Sequence, residues 1–150
     1  MKTWTHTLRG TIRAMACPYF YPVARLEEAA WAVPPRLPLG DAYTGECRSG
    51  PVALDPGDTL LRASCNNGYA RGKCGRFPND ARADAVRFHI ASESDGLIRL
   101  QYTLEKGCWP VDHGNTSYSV PQHAFTAPPV DEVVHRQASA FIESYLRRAR

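Results

Sequence analysis

The chain has 150 residues, a formal net charge of +3 and a pI near 8.7, enough for one domain with one core and too mild a positive excess to imply a nucleic-acid partner by itself. Leu, Ile, Val and Phe together number 29, a lean apolar supply, so a cross-link is expected to supplement the core. No apolar run reaches the length of a signal peptide's central region or of a membrane span, so the sequence predicts a soluble, cytoplasmic protein with no membrane partner.

Residues 1–26 carry Lys2, Arg9, Arg13 and Arg25 and no acid, which reads as an ordinary solvated edge. Cys17 opens the run Cys17-Pro18-Tyr19-Phe20-Tyr21-Pro22. A short helix is expected over residues 25–32, stopped by Pro34-Pro35, with residues 36–40 extended after it. Residues 41–47 hold two glycines and Tyr43 and read as a turn or a brief strand ending at Cys47. Gly50-Pro51 and Asp55-Pro56-Gly57 are turn signals, after which Asp58 or Thr59 caps a short helix through Leu60, Leu61 and Ala63 toward Cys65. Asn66-Asn67-Gly68 supplies its stop, since Asn and Gly tolerate the left-handed conformation that ends helices. Cys74 follows in a loop between Gly72 and Gly75. Eight of the twelve prolines precede residue 80, and an irregular segment of that length inside a compact domain calls for a functional or cross-linking reason.

After Pro78 the pattern changes. Residues 85–91 alternate in the period-two manner of a half-buried strand, residues 97–104 do so again, and Ser92-Glu93-Ser94-Asp95-Gly96 turns between them, which predicts a β-hairpin. Residues 107–123 read as loop with a weak third strand around 117–120. Residues 129–148 form the clearest helix, with Val130, Val133, Val134, Ala138, Phe141, Ile142, Tyr145 and Leu146 at three- and four-residue steps, acids in the first turn and Arg147 and Arg148 in the last. The expected fold is α+β: a small antiparallel sheet and a C-terminal amphipathic helix in residues 81–150, and an irregular four-cysteine lobe in residues 1–80 of the same single domain.

The candidate site follows from the cysteines. In a reducing cytosol several persistent cysteines act as metal ligands or redox groups more often than as disulfides, and the odd count of five fits pairing poorly. Cys17, Cys47, Cys65 and Cys74 all lie in the proline- and glycine-rich half and are the expected ligands of one metal centre. Count alone leaves an iron–sulfur cluster and zinc open. Structural zinc favours ligand pairs two to four residues apart, and no such cysteine pair exists here. A cluster accepts thiolates from several separate segments, and Pro directly after a ligand cysteine, as in Cys17-Pro18, also occurs in ferredoxin-type motifs. A [4Fe–4S] cluster is therefore preferred to zinc and to unliganded or disulfide-bonded cysteines. Tyr19, Phe20, Tyr21, Tyr43, Tyr69 and Phe77 are placed to exclude water from it, or simply to pack the core.

The run Cys17-Pro18-Tyr19-Phe20-Tyr21-Pro22 and the run Cys65-Asn66-Asn67-Gly68-Tyr69-Ala70-Arg71-Gly72-Lys73-Cys74-Gly75-Arg76-Phe77-Pro78 resemble a group of small uncharacterised bacterial proteins. The likeness extends through residues 35–41 and 84–88, His113-Gly114 and residues 144–148, most of the chain. It brings no activity with it. In that group a histidine is expected just after the second strand, where this chain has Cys108-Trp109, and the departure places Cys108 outside the quartet.

Catalytic patterns are missing: there is no Gly-x-Ser-x-Gly, no Walker lysine followed by Ser or Thr and no His-Glu-x-x-His, and Gly68, Gly72 and Gly75 lack dinucleotide-fingerprint spacing. A dyad of Cys108 with His113 or His123 reads as chance. Two functions remain: a small iron–sulfur protein serving electron transfer, redox sensing or structural stapling, with a protein partner, and a zinc-stapled adaptor for nucleic acid or protein using Arg62, Arg71, Lys73, Arg76, Arg82 and Arg87 as its basic face. Nucleic acid is the less expected partner.

Overall fold

A computed structural model describes residues 15–25 and 43–149. The expected helix over residues 25–32 and the extended run after it fall outside these residues, apart from Arg25, which ends a strand.

The larger sheet is antiparallel and has five strands: β1 (Met15–Ala16), β4 (Ala85–Ser94), β5 (Leu97–Lys106), β6 (Trp109–Ser119) and β7 (Ala124–Phe125), in the order β1-β4-β5-β6-β7. The predicted hairpin is its centre. Val86 faces Leu104, Phe88 faces Tyr102 and Ile90 faces Leu100 across the β4–β5 ladder, so the period-two apolar residues of both strands reach one face and bury there. Asp95 and Gly96 join the strands with φ of 54° and 76°, the pair of positive values a two-residue turn needs to match strand twist.

The expectation of a loop over residues 107–123 with a weak strand near 117–120 is corrected. Gly107 and Cys108, at φ 58° and 68°, make a second two-residue turn, and β6 then runs eleven residues against β5. Its first half hid from sequence because Trp109 and Val111 face solvent. Gly114 lies opposite Tyr102, whose ring fills the space a Cβ would need, so the glycine is required by its cross-strand neighbour.

Helix α2 (Glu132–Ala149) begins later than residue 129. Asp131 is its cap: the carboxylate Oδ1 accepts from the N–H groups of Val133 and Val134 at 2.8 and 3.1 Å, and Val130, expected on the core face, stands fully exposed ahead of it. The helix buries Val134, Gln137, Ala138, Ile142 and Ser144 against β4, where Phe141 stacks on Phe88 at 5.6 Å, and against a smaller sheet. No helix among the described residues is long and apolar enough to cross a membrane.

That smaller sheet pairs β2 (Phe20–Arg25) with β3 (Tyr43–Cys47) antiparallel. The cysteine-bearing half is thus less irregular than its proline content suggests. Pro22 sits inside β2 beside a register shift, a place where its missing N–H costs no ladder bond. The predicted helix toward Cys65 exists in a wider form: one α-turn, α1 (Gly57–Leu60), continues as a π-turn over Leu61–Cys65, closed by Asn66 N–H donating to the Leu61 carbonyl. Gly68, at φ 71°, ends it as expected, with the Gly68 N–H donating to the Ser64 carbonyl at 2.8 Å.

Candidate metal centre

Four separate segments deliver the four predicted cysteines to one place. Cys17 follows β1 and starts a turn in which Pro18 holds the second position and Phe20 N–H donates back to the Cys17 carbonyl at 3.0 Å. Cys47 ends β3 opposite Phe20 and exchanges two backbone hydrogen bonds with Leu54, 2.7 and 3.0 Å, which ties off the loop after it. Cys65 is the last residue of the π-turn, and its carbonyl accepts from Cys17 N–H at 3.3 Å; single π-turns of this kind recur at functional sites. Cys74 closes a turn in which its N–H donates to the Ala70 carbonyl at 2.8 Å.

All four line a single narrow cavity of about 20 Å³, with Tyr19, Phe20, Leu60 and Phe77 among its walls. Of the six aromatics expected around the thiols, these three are in place: Tyr19, Phe20 and Phe77, with Tyr19 edge-on to Phe77 at 5.6 Å. Tyr21 instead lies under the Arg48 guanidinium at 3.6 Å, Tyr43 reaches α2, and Tyr69 donates to Glu105 at 2.7 Å. Cys17 and Cys65 are buried and Cys47 and Cys74 half-buried, and all five cysteines are free thiols. Burial pushes the Cys17 and Cys65 thiols up to about 12, and Cys47 and Cys74 add to the rise at both. Cys17 and Cys65 are thereby held as neutral thiols, and a bound metal must displace their protons.

Four thiols supply the donor type that an all-sulfur metal centre would use. A second observation agrees: the Ser64 hydroxyl, buried and on the cavity wall, has no hydrogen-bond partner among the described residues, an orphan that a sulfide or thiolate inside the cavity would satisfy. Ser49 Oγ lies 3.2 Å from Cys47 Sγ. No group of three or more His, Cys, Asp or Glu that could hold a metal ion is found among the described residues.

Cys108 stands elsewhere, exposed on the β5–β6 turn. His113 pairs with Thr103 in mid-strand, about 15 Å along β6 from Cys108 at a strand's rise per residue, and His123 sits in the turn before β7 at φ 54°. No dyad forms between Cys108 and either histidine. The basic face is broken up in a similar way: Arg62 pairs with Asp58 at 3.5 Å, Arg71 with Asp84 at 2.8 Å, Arg82 with Asp112 at 3.1 Å, and Arg87 with Glu105.

Several residues that shape the site escaped the sequence reading. Asn66 accepts from Tyr43 N–H and donates to the Tyr43 and Leu61 carbonyls, acting as a strand partner for β3. Gln137 donates from α2 to the Cys17 and Phe20 carbonyls. Arg71 fixes the Cys74 turn by bonding Asp84, the Asn79 carbonyl and the Ala81 carbonyl, with its guanidinium 5.0 Å from the centre of the Phe77 ring. A readable signal existed for Gln137 alone, a polar residue on the apolar face of a helix.

The chain matches no protein-family model, no curated protein and no solved structure.

Proposed function

We propose that this is a small cytoplasmic iron–sulfur protein in which Cys17, Cys47, Cys65 and Cys74 ligate one [4Fe–4S] cluster that exchanges single electrons with a protein partner. The observation that carries the reading is the convergence of four thiols, from four segments spread over residues 17–74, on one aromatic-walled cavity. Structural zinc usually draws on ligand pairs two to four residues apart, and the wide spacing of Cys17, Cys47, Cys65 and Cys74 along the chain supports the cluster, which accepts thiolates from separate segments. The bound cluster supplies one-electron redox chemistry. The chain's own residues do the rest: Tyr19, Phe20 and Phe77 keep water from the sulfurs, Ser49 and Ser64 offer hydroxyl donors, and Cys47 and Cys74, the half-buried ligands, form the edge through which electrons enter and leave. That open edge favours a working redox centre over a buried staple.

Purification without oxygen tests the reading. The expected protein is brown and carries four irons and four acid-labile sulfides per chain, with visible absorbance that bleaches on reduction. Colourless protein with stoichiometric zinc would replace the cluster by a zinc staple, and metal-free protein whose thiols are blocked in pairs would remove both.

A further inference from the structure

We propose that Arg76 is the charge-compensating residue of the four-cysteine centre, a guanidinium set at the cavity mouth that raises the centre's reduction potential. The proposal deepens the iron–sulfur reading and rests on it. Arg76 lies two residues after Cys74 and lines the cavity. Its Nη1 donates to the Asp55 carbonyl at 3.1 Å, so the side chain bridges from the Cys74 turn to the loop that follows Cys47. The Asp55 carboxylate is turned away to the Gly57 N–H, at 3.0 Å.

Arg76, like Arg136, meets carbonyl oxygen and no carboxylate among the described residues, and unlike Arg136 it lines the four-cysteine cavity. Arg48, Arg62, Arg71, Arg82 and Arg87 each face a carboxylate. Arg76 has no carboxylate partner among the described residues and bonds only a carbonyl, so its charge is not cancelled and the remaining donors of its planar fork stay available. Arg76 is itself exposed to solvent at the mouth, so its field at the sulfurs is partly screened and depends on salt. Four thiolates make the loaded centre anionic, and each electron it accepts adds negative charge. A fixed cation at the mouth favours the reduced form over the oxidised one.

The test is a dithionite titration of the iron-loaded protein, comparing wild type, Arg76→Gln, Arg76→Lys and Lys73→Gln. Lys73 is an exposed cation next to Cys74 that does not line the cavity, so Lys73→Gln removes the same charge from the wrong place. Arg76→Gln, with full iron and sulfide, is expected to lower the ratio of reduced to oxidised centre at a fixed poise about tenfold, about 59 mV for one electron. Arg76→Lys and Lys73→Gln should stay within about a factor of three of wild type, and the gap for Arg76→Gln should shrink between about 0.01 and 1 M salt as screening grows. Cluster loss from Arg76→Gln but not from Arg76→Lys would be the same dependence on charge, expressed as affinity. A fully loaded Arg76→Gln with the wild-type potential overturns the proposal, as does equal loss of cluster from Arg76→Gln and Arg76→Lys, which would make Arg76 part of the fold. Wild type without iron fails earlier and sinks the iron–sulfur reading itself.

Discussion

The side-chain amide of Gln137 donates from the terminal helix to the carbonyl of Cys17 at 2.7 Å, across 120 positions of sequence. The same nitrogen reaches the Phe20 carbonyl at 2.8 Å, so one fully buried side chain holds both ends of the turn that presents the first thiol. The relationship couples the helix to the candidate centre. Gln137→Leu keeps the size and removes the donor, taking one hydrogen bond from each of two buried carbonyls and leaving Cys17 only the bond from Phe20 N–H. The expected cost is about 2 kcal/mol of stability, together with faster release of iron to a chelator. Denaturant unfolding and chelation kinetics check it, and a variant indistinguishable from wild type in both would show that the contact does not position Cys17.

Asn66 plays the matching part for the second and third thiols. Its side chain takes both backbone groups of Tyr43, each at 3.0 Å, and donates to Leu61 at 2.9 Å, fixing β3, which ends in Cys47, against the π-turn that ends in Cys65. Tyr43 in turn contacts the Ala140 carbonyl and Ser144 in α2 through its hydroxyl, at 2.9 and 2.8 Å. Asn66→Ala is expected to cost about 2 kcal/mol, since it removes three side-chain hydrogen bonds to buried backbone groups, and Tyr43→Phe only about 1 kcal/mol. Urea midpoints of the two variants decide the order, and the reverse order would mean that β3 is held by the helix alone.

What could be read from sequence was whatever rests on local pattern. The β4–β5 hairpin alternates with period two around Asp95-Gly96, and α2 repeats its apolar residues at helical spacing, so both were predictable within a few residues. β6 was not, because Pro110, Asp112 and Gly114 break the apolar alternation and the strand owes its place to pairing with β5. The turn that launches it was hidden by Cys108, a residue seldom found at positive φ. β2 was masked by Pro22. At the candidate site, counting cysteines selected the four that line the cavity, because the proline-rich half needed a cross-link. The clamps from Asn66 and Gln137 and the placement of Arg76 depend on segments far apart in sequence, and no spacing rule reaches them.

Asp84 gives the fold an acid-sensitive joint. Burial pushes its carboxyl up, yet the Gly107 N–H at 2.8 Å and the Arg71 guanidinium pull harder and hold it below its ordinary value of 3.8. The folded protein then binds fewer protons here than the unfolded chain, so this stability is present above about pH 4 and is lost as pH falls through the lowered value. Asp84→Asn should be less stable than wild type at pH 7, with Arg71 left without its carboxylate, and the gap should narrow as pH approaches 3. Thermal midpoints of the two proteins between pH 7 and 3 check it, since any acid loss of metal affects both. A gap that stays constant would remove the carboxylate charge from the account.

The five cysteines themselves divide by position. Cys17, Cys47, Cys65 and Cys74 line one cavity whose walls come from the proline-rich half of the chain, where a centre that binds four segments contributes its binding energy to folding. Cys108 is exposed on a turn that the β5–β6 ladder already closes, where its thiol meets Tyr69 and lies outside the cavity. Cys108→Ser should therefore keep wild-type iron content and melting temperature. Serine at any of the other four should lose iron, and at Cys17 and Cys65 it should destabilise most, because a hydroxyl there is desolvated among apolar walls without a partner. Iron, sulfide and zinc measured on the five single variants settle the ligand set. An iron-free Cys108 variant beside a fully loaded Cys47 variant would show that the quartet is a different one, whereas unchanged metal in all five would leave the cavity as core packing.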